Sequence, residues 1–593
     1  MSAAISPDGD KIVYVGAYKT GGRAVTVADL KTGETKAILA GAALDVTPNH
    51  CAFKTETRVI CTLYGVLDHE NSFSRIIAVD TDGGNRKLLN DHHERRHSGG
   101  DILDWLPDDP HHILVVGNGA ERVDVATGRR EAVEASTDDL AVLGADAKGV
   151  VRFRGLVARG RTGYSNDAIS YYVRAPGRRE WLPVGRSQLS DDNAPSYDDF
   201  DADGTHLYRR RLLDGRQALF TLTVDGSNTE TLVFAHPQVD VDGVLRIGKY
   251  RRPVAARFTV ERREYHFFDP KLAVLSASLK KALPGHPEVS ILDESWDGTK
   301  KLVYVDGDSR PGRYYLYDEP TRKLGELIST YPNLDDAALG HVTPIKFTAR
   351  DGVMIPGYLT LPPGRVDAHG LPGLVLPHGG PSSRDETGFD WLAQFFAAEG
   401  FAVLQPNFRG SAGYGAEFFA KNGFKSWPLA IGDVNDGARW LVSQGVPAGR
   451  LAIFGWSYGG YAALQANVVE PSLYRATIAV APVTDLDLLR DESAHSTDYQ
   501  LVAAMVGTGE ALLQAGSPAR NAGRFKAPVM IFHADKDLNV DIEQSRAMVA
   551  ALRRSDKQVD FVQYKGFDHQ IDDSVAREDL LSKSAAFLRA ATP

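Results

Sequence analysis

The sequence predicts an all-β repeat domain over residues 1–334 followed by an α/β domain over 335–593. Three observations predict it. Turn phrases recur at near-constant spacing through the first part of the chain. Near residue 335 the texture changes to strands alternating with helices. Within that second part, "IFGWSYGGYAALQ" at 453–465 places Gly-x-Ser-x-Gly between the end of a buried strand and the start of a helix. A chain of 593 residues also exceeds what one hydrophobic core usually serves, so at least two domains are required.

The first part consists of short Val/Ile/Tyr/Phe/Leu runs broken by Asp-Gly, Thr-Gly and Pro turns, an all-β texture. Hairpin turns recur in "VADLKTGETKAIL", "IAVDTDGGNRKLL", "VDVATGRREAV", "YYVRAPGRREWLPV", "LTVDGSNTETLVF", "HFFDPKLAVL" and "YYLYDEPTRKLGEL". Their markers Gly33, Gly83, Gly128, Gly177, Gly226, Pro270 and Pro320 stand 50, 45, 49, 49, 44 and 50 residues apart. A second phrase, turn then strand, recurs in "SPDGDKIVYV", "LPDDPHHILVV", "DADGTHLYRR" and "SWDGTKKLVYV". Units of roughly 40 to 50 residues with four short strands are the mark of a β-propeller blade. Seven markers predict seven blades, with the fourth and sixth repeats the faintest.

In the second part, "VTPIKFTARDG" and "MIPGYLTLP" read as an antiparallel strand pair. After them come a strand in "LPGLVLPHGG", a helix in "FDWLAQFFAAEG" ended by Gly400, a strand in "FAVLQPNFRG" and a helix in "AIGDVNDGARWLVSQG". Strands recur in "RLAIFGWSYGG", "ATIAVAPVTD", "APVMIFHADKD" and "VDFVQYKGFDH". This alternation predicts a mostly parallel sheet covered on both faces, with active residues at the carboxyl ends of its strands.

Gly-x-Ser-x-Gly on a strand-turn-helix is the nucleophile-elbow signature, although Gly and Ser also favour ordinary tight turns. A serine is a poor nucleophile until a base removes its proton, and that base is usually a histidine oriented by a carboxylate. After Ser457, Asp537 stands at a strand end in "VMIFHADKDLNV", with Asp535 as a rival. His569 follows the next strand in "VQYKGFDHQIDD" and is the only histidine after His533. The order Ser, Asp, His is that of an α/β-hydrolase. The tetrahedral intermediate needs preorganised N–H donors for its oxyanion. One is expected from the backbone of Tyr458, the other from Gly380 in "PHGGPSS" at 377–383, where Gly379 and Gly380 allow close backbone approach.

These residues resemble the prolyl oligopeptidase family of serine peptidases. The likeness covers nearly the whole chain: a propeller, then "HGGP", "NFRGSAGYG", "GWSYGG", "HADKDLNV" and "GFDH". The His-Gly-Gly-Pro form is most similar to the acylaminoacyl-peptidase and bacterial dipeptidyl-peptidase branch. The resemblance implies a cofactor-free serine peptidase acting on short peptides through an acyl-enzyme, with the propeller as a size filter. Ser457 becomes the nucleophile, Asp537 the orienting acid and His569 the base. Asn539 is similar in position to a residue that holds a substrate carbonyl. Arg409, in "NFRGS", matches a family signature and is carried as a substrate-binding candidate as well as a structural residue. Departures are His533-Ala534 where the family has His-Gly, the lack of a tyrosine after "HGGP", and the lack of the segment that usually precedes the propeller. The chain opens as if inside a folded repeat, so an expected leader segment is either absent or removed.

A net charge of −10, from 67 basic and 77 acidic residues, gives no sign of a nucleic-acid partner. No run approaches the roughly 18 apolar residues of a membrane span. Cys51 and Cys61 flank a hairpin centred near Glu56, and facing cysteines on adjacent strands can pair. A disulfide there predicts a periplasmic or secreted protein, two free thiols a cytoplasmic one. "DHHERRH" at 91–97 and the acidic run "SDDNAPSYDDFDADG" at 190–204 read as solvated polar segments rather than metal sites. Three alternatives remain: an isopeptidase for unusual amide linkages such as those of lasso peptides, a carboxylesterase, and an inactive propeller binding protein. The oligomeric state stays open, a homo-oligomer included.

Overall fold

The computed structural model describes residues 2–18, 21–40, 46–67, 71–90, 101–137, 139–159, 165–191, 193–284, 287–493, 499–507 and 509–593. The chain divides into two compact units. The first comprises Met1–Phe258, Glu264–Val305 and Gly312–Pro332; the second comprises Thr259–Arg263, Asp306–Pro311 and Asn333–Pro593.

In the first unit, seven small antiparallel sheets follow one another along the chain and form a seven-bladed β-propeller. The first blade runs Ser2–Ile5, Lys11–Ala17, Arg23–Asp29 and Thr35–Ala40, each strand pairing with the next. Gly33, Gly83, Gly128, Gly177 and Gly226 all have positive φ and occupy the turn between the third and fourth strands of their blades. That is why glycine marks the repeat: the left-handed turn position is free of strain only without a Cβ.

Pro270 departs from the expected pattern. The phrase "HFFDPKLAVL" is not a hairpin turn; an α-helix begins there and runs Pro270–Ala282, and the sixth sheet has three strands. The Asp269 side chain accepts from the Lys271 N–H, and proline takes the first helical position, where no N–H is needed. Leu272, Leu275 and Leu279 then turn one face inward, where Leu272 packs with Ile247, Val254 and Ile291.

Apolar clusters join neighbouring blades. The ring closes the same way, with Ile5, Ile12 and Ala28 of the first blade packed on Leu302 and Tyr314 of the seventh. Lys300 Nζ donates to Asp10 Oδ1 at 2.7 Å across that junction. Among the described residues no strand is exchanged between the first and last blades, and side-chain packing and a few polar contacts hold the closure. In the second blade Cys51 and Cys61 lie directly opposite on Thr47–Phe53 and Arg58–Val66 and are joined in a disulfide. The segment 91–97 lies outside the described residues, as does Asp192 of the acidic run. Asp201, Asp203 and His206 do come together. The Thr205 N–H donates to both carboxylates at 2.9 Å, so the chain itself supplies the donors of this turn.

The second unit is built on an eight-stranded sheet. We label its strands β1 (Val342–Thr348), β2 (Met354–Thr360), β3 (Gly373–Val375), β4 (Ala402–Pro406), β5 (Leu451–Trp456), β6 (Ala476–Val480), β7 (Val529–Ala534) and β8 (Val559–Tyr564). Their order is β1-β2-β4-β3-β5-β6-β7-β8, with β1–β2 and β2–β4 antiparallel and the rest parallel. The central strands read as unbroken apolar runs because both faces are buried. Val375, Leu404 and Ile453 face one apolar cluster, while Leu374, Val403, Ala452 and Phe454 face the other. Each of the Val, Leu, Ile and Phe side chains among them contributes about 1.5–3 kcal/mol by leaving water. Helices α1 (Trp391–Ala398), α2 (Trp427–Ser443), α3 (Tyr458–Val469), α4 (Ile542–Arg554) and α5 (Ser574–Ala591) cover the two faces. This is the α/β-hydrolase fold. Among the described residues no helix is long and apolar enough to cross a membrane.

Candidate active site

Strand β5 ends at Trp456 and helix α3 begins at Tyr458, so the reversal of direction falls on Ser457 alone. Ser457 adopts φ 60°, ψ −122°, a left-handed conformation that costs a non-glycine residue of order 1–3 kcal/mol. Its N–H donates to the Val480 carbonyl at 2.8 Å and its carbonyl accepts from Tyr461 N–H at 3.0 Å, which holds the strained residue in place. A Cβ on Gly459 would lie 2.2 Å from the Pro377 carbonyl oxygen. The elbow therefore packs directly against the backbone of the "PHGG" segment.

His569 follows β8, and its Nδ1 lies 2.6 Å from Asp537 Oδ2. Both side chains are buried. The other carboxylate oxygen, Oδ1, accepts from the N–H groups of Asn539 (2.8 Å) and Val540 (3.0 Å). A second histidine, His533, sits 3.3 Å from Asp537 Oδ2 and turns its Nδ1 to Ser545 Oγ at 2.6 Å. Asp535 is placed elsewhere: its Oδ1 accepts from Gly566 N–H at 2.6 Å, closing the loop after β8. The Trp456 indole N–H donates to the His569 carbonyl at 3.1 Å, tying the residue before the elbow serine to the histidine loop.

Burial alone pushes the Asp537 carboxyl up, but the hydrogen bonds and charges of His533 and His569 outweigh it and hold the carboxyl at about 2. This lowering links the site to acid stability. A carboxyl with a folded-state value below its ordinary 3.8 stabilises the fold above that ordinary value and loses the contribution as pH falls through the folded one. Asp537 is expected to contribute about 2 kcal/mol at neutral pH, lost between about pH 4 and 2. Urea unfolding of wild type and Asp537→Asn across that range checks it: the wild-type advantage should shrink as the pH drops.

Opposite the elbow, His378 stacks on Phe408 with ring centroids 4.4 Å apart. Burial pushes its imidazole down to about 4, so the ring is neutral near pH 7. Its Nδ1 donates to the Gly379 carbonyl at 2.7 Å, and its Nε2 accepts from Ser411 Oγ at 2.7 Å. The ring thus braces Gly379 and Gly380, whose φ of 118° suits glycine alone. Tyr458 turns its ring into the core against Phe408, Phe424 and Tyr461 and leaves its N–H at the start of α3, where no intrahelical acceptor exists.

A cavity of about 520 Å³ collects these groups. It is lined by Ser457, His569, Gly379, Gly380 and Asn539, and also by Trp391, Trp456, Gln570 and Arg577. Sequence reasoning assigns the last four no role: Trp456 reads only as a variable position of Gly-x-Ser-x-Gly, and the other three have the spacing of ordinary helix and loop residues. Arg409 is not among the lining residues. Asp433 takes it at Nε (2.9 Å) and Nη2 (2.6 Å), and Asp351 takes its Nη1 at 2.5 Å. Three of its donors are thereby engaged by the buried Asp433 and the exposed Asp351, an arrangement that favours the structural reading of Arg409 over substrate binding.

Residues 387–592 match the model of the prolyl oligopeptidase family. The chain is 29% identical over 469 residues to dipeptidyl aminopeptidase BIII of Pseudoxanthomonas mexicana, covering 76% of this chain and 66% of that protein. It is 30% identical over 314 residues to dipeptidyl peptidase family member 6 of Caenorhabditis elegans, covering 48% of this chain and 42% of that protein. The match therefore spans less than two thirds of either relative's length. In fold the chain is similar to a puromycin-hydrolyzing peptidase of Mycobacterium tuberculosis, with a TM-score of 0.75 at 18% identity over 100% of this chain and 94% of that one. The likeness to the prolyl oligopeptidase family is thus carried by residues 387–592, within the α/β-hydrolase unit.

Proposed function

We propose that this chain is a serine peptidase that hydrolyses peptide bonds of short peptides through an acyl-enzyme, releasing dipeptides or acylated residues. The observation that carries this reading is the pairing of His569 Nδ1 with Asp537 at 2.6 Å beside a strained Ser457 on the wall of the same cavity. Ser457 Oγ attacks the scissile carbonyl while His569 Nε2 takes its proton, and Asp537 steadies the resulting imidazolium. The oxyanion meets the N–H groups of Tyr458 and Gly380. Collapse breaks the C–N bond as His569 protonates the leaving nitrogen, and water then repeats the sequence to free Ser457. Asn539 holds a substrate carbonyl on the acyl side. Dipeptide release is favoured because two relatives named for it align with this chain. The Cys51–Cys61 disulfide supports maturation outside the reducing cytosol, in the periplasm or beyond it.

The test is a substrate panel: free and acylated dipeptide anilides, nitrophenyl esters and side-chain-linked amides, with fluorophosphonate labelling mapped by mass spectrometry. Anilide turnover with a single label on Ser457 is expected, and free-amine dipeptide anilides should lead. Turnover of esters alone would make the chain a carboxylesterase. Turnover of only the side-chain-linked amides would make it an isopeptidase.

A further inference from the structure

We propose that the leaving-group end of the cavity is an anion subsite, in which Arg577 receives the free α-carboxylate of a short leaving fragment. The inference rests on the peptidase reading above. Because His569 protonates the departing nitrogen, the leaving fragment lies on the His569 side of the scissile bond. On that side the cavity wall continues with Gln570 and Arg577.

The loop after His569 is fastened to Arg577. Its Nε donates to the Ile571 carbonyl at 3.0 Å, and its Nη2 donates to the Gln570 carbonyl at 3.2 Å and to Asp572 at 2.7 Å. Three of the five guanidinium hydrogens are thereby committed. The remaining two sit on Nη1, which makes no hydrogen bond among the described residues. The guanidinium carbon lies 5.0 Å from the centre of the Trp391 ring, another wall of the cavity. An indole face beneath a guanidinium fixes its plane and leaves its edge free for a planar carboxylate.

The nearby acidic groups do not occupy that edge. Asp390 Oδ1 accepts from Leu392 and Ala393 at the start of α1, and Gln405 lies 3.4 Å from its Oδ2. Asp568 accepts from Gln570 N–H at 3.1 Å, and burial pushes the carboxyls of both Asp390 and Asp568 up. Among the described residues, Asp572 is the acidic group that pairs with the guanidinium, and it does so through Nη2.

The experiment compares matched tripeptides ending in a free acid or in a carboxamide, built on the best acyl dipeptide of the panel. Wild type is expected to favour the acid by about tenfold in kcat/KM. In Arg577→Gln that ratio should fall to about one, chiefly through the KM of the acid, and Arg577→Lys should restore part of it. On wild type alone, alanine should inhibit anilide hydrolysis at lower concentration than alaninamide, which keeps the proposal testable if the variants misfold. A wild-type ratio of one or less overturns it, as does an Arg577→Gln variant that loses acid and amide turnover by the same factor, since that would mark a strap for the His569 loop. If wild type turns over neither tripeptides nor anilides, the peptidase reading fails first and this one with it.

Discussion

Replacing Ser457 by Ala is expected to lower kcat by about 10⁶-fold, and adding His569→Ala to that variant should remove almost nothing more. The two side chains act as one unit: without Oγ the imidazole has no proton to take, and without the imidazole Oγ is a neutral alcohol. Asp537→Asn is a different lesion. Oδ1 accepts two backbone N–H groups, from Asn539 and Val540, so the amide oxygen of an asparagine must stay on that side. Its NH₂ then faces His569 Nδ1, which must become an acceptor. The ring proton moves to Nε2, the atom that should receive the serine proton. A loss of about 10⁴-fold in kcat follows, with KM and the fold largely preserved. Single-turnover kinetics with the anilide substrate measures all three. The reading of Ser457 as nucleophile fails if Ser457→Ala retains more than about a hundredth of wild-type activity, given the near-total loss that triad removal causes elsewhere.

The candidate triad was legible because chemistry restricts its residue types. Ser457, Asp537 and His569 are the candidates picked out by asking which order of nucleophile, acid and base fits strand ends, and the structure places Asp537 against His569. Asp535 could be separated from Asp537 only by the fold, because both stand at the end of β7 and differ in which loop they meet. The blade turns were legible through Gly33 and its successors for a conformational reason, since positive φ selects glycine. Pro270 misled on the same logic: proline marks turns, but after a capping aspartate it starts a helix equally well. Trp391 and Arg577 could not be read from the sequence at all. They belong to the first turns of α1 and α5, far apart in the chain, and meet through tertiary packing alone.

Gly455→Ala is expected to be the most damaging small substitution in the α/β unit. A Cβ there would lie 1.9 Å from the Gly459 carbonyl oxygen, 2.2 Å from its carbon and 2.7 Å from Gly460 nitrogen. All three are backbone atoms of the first turn of α3, so no rotamer change relieves the contact; β5 and α3 have to separate. Overpacking against groups that cannot move should cost about 3 kcal/mol or more. The displacement also falls on Ser457, two residues on, and a shift of about 1 Å in a reacting group costs on the order of 100-fold in rate. Gly432→Ala provides the control. Gly432 lies inside α2 with nothing within 4 Å of its would-be Cβ. Alanine there should stabilise by about 0.5–1 kcal/mol through better helix propensity and a less flexible unfolded chain. Urea denaturation of the two variants should therefore move in opposite directions, with activity lost only in the first. Equal and small shifts would mean that the elbow is looser than its contacts imply, and that the strain at Ser457 is not enforced by the packing of α3 on β5.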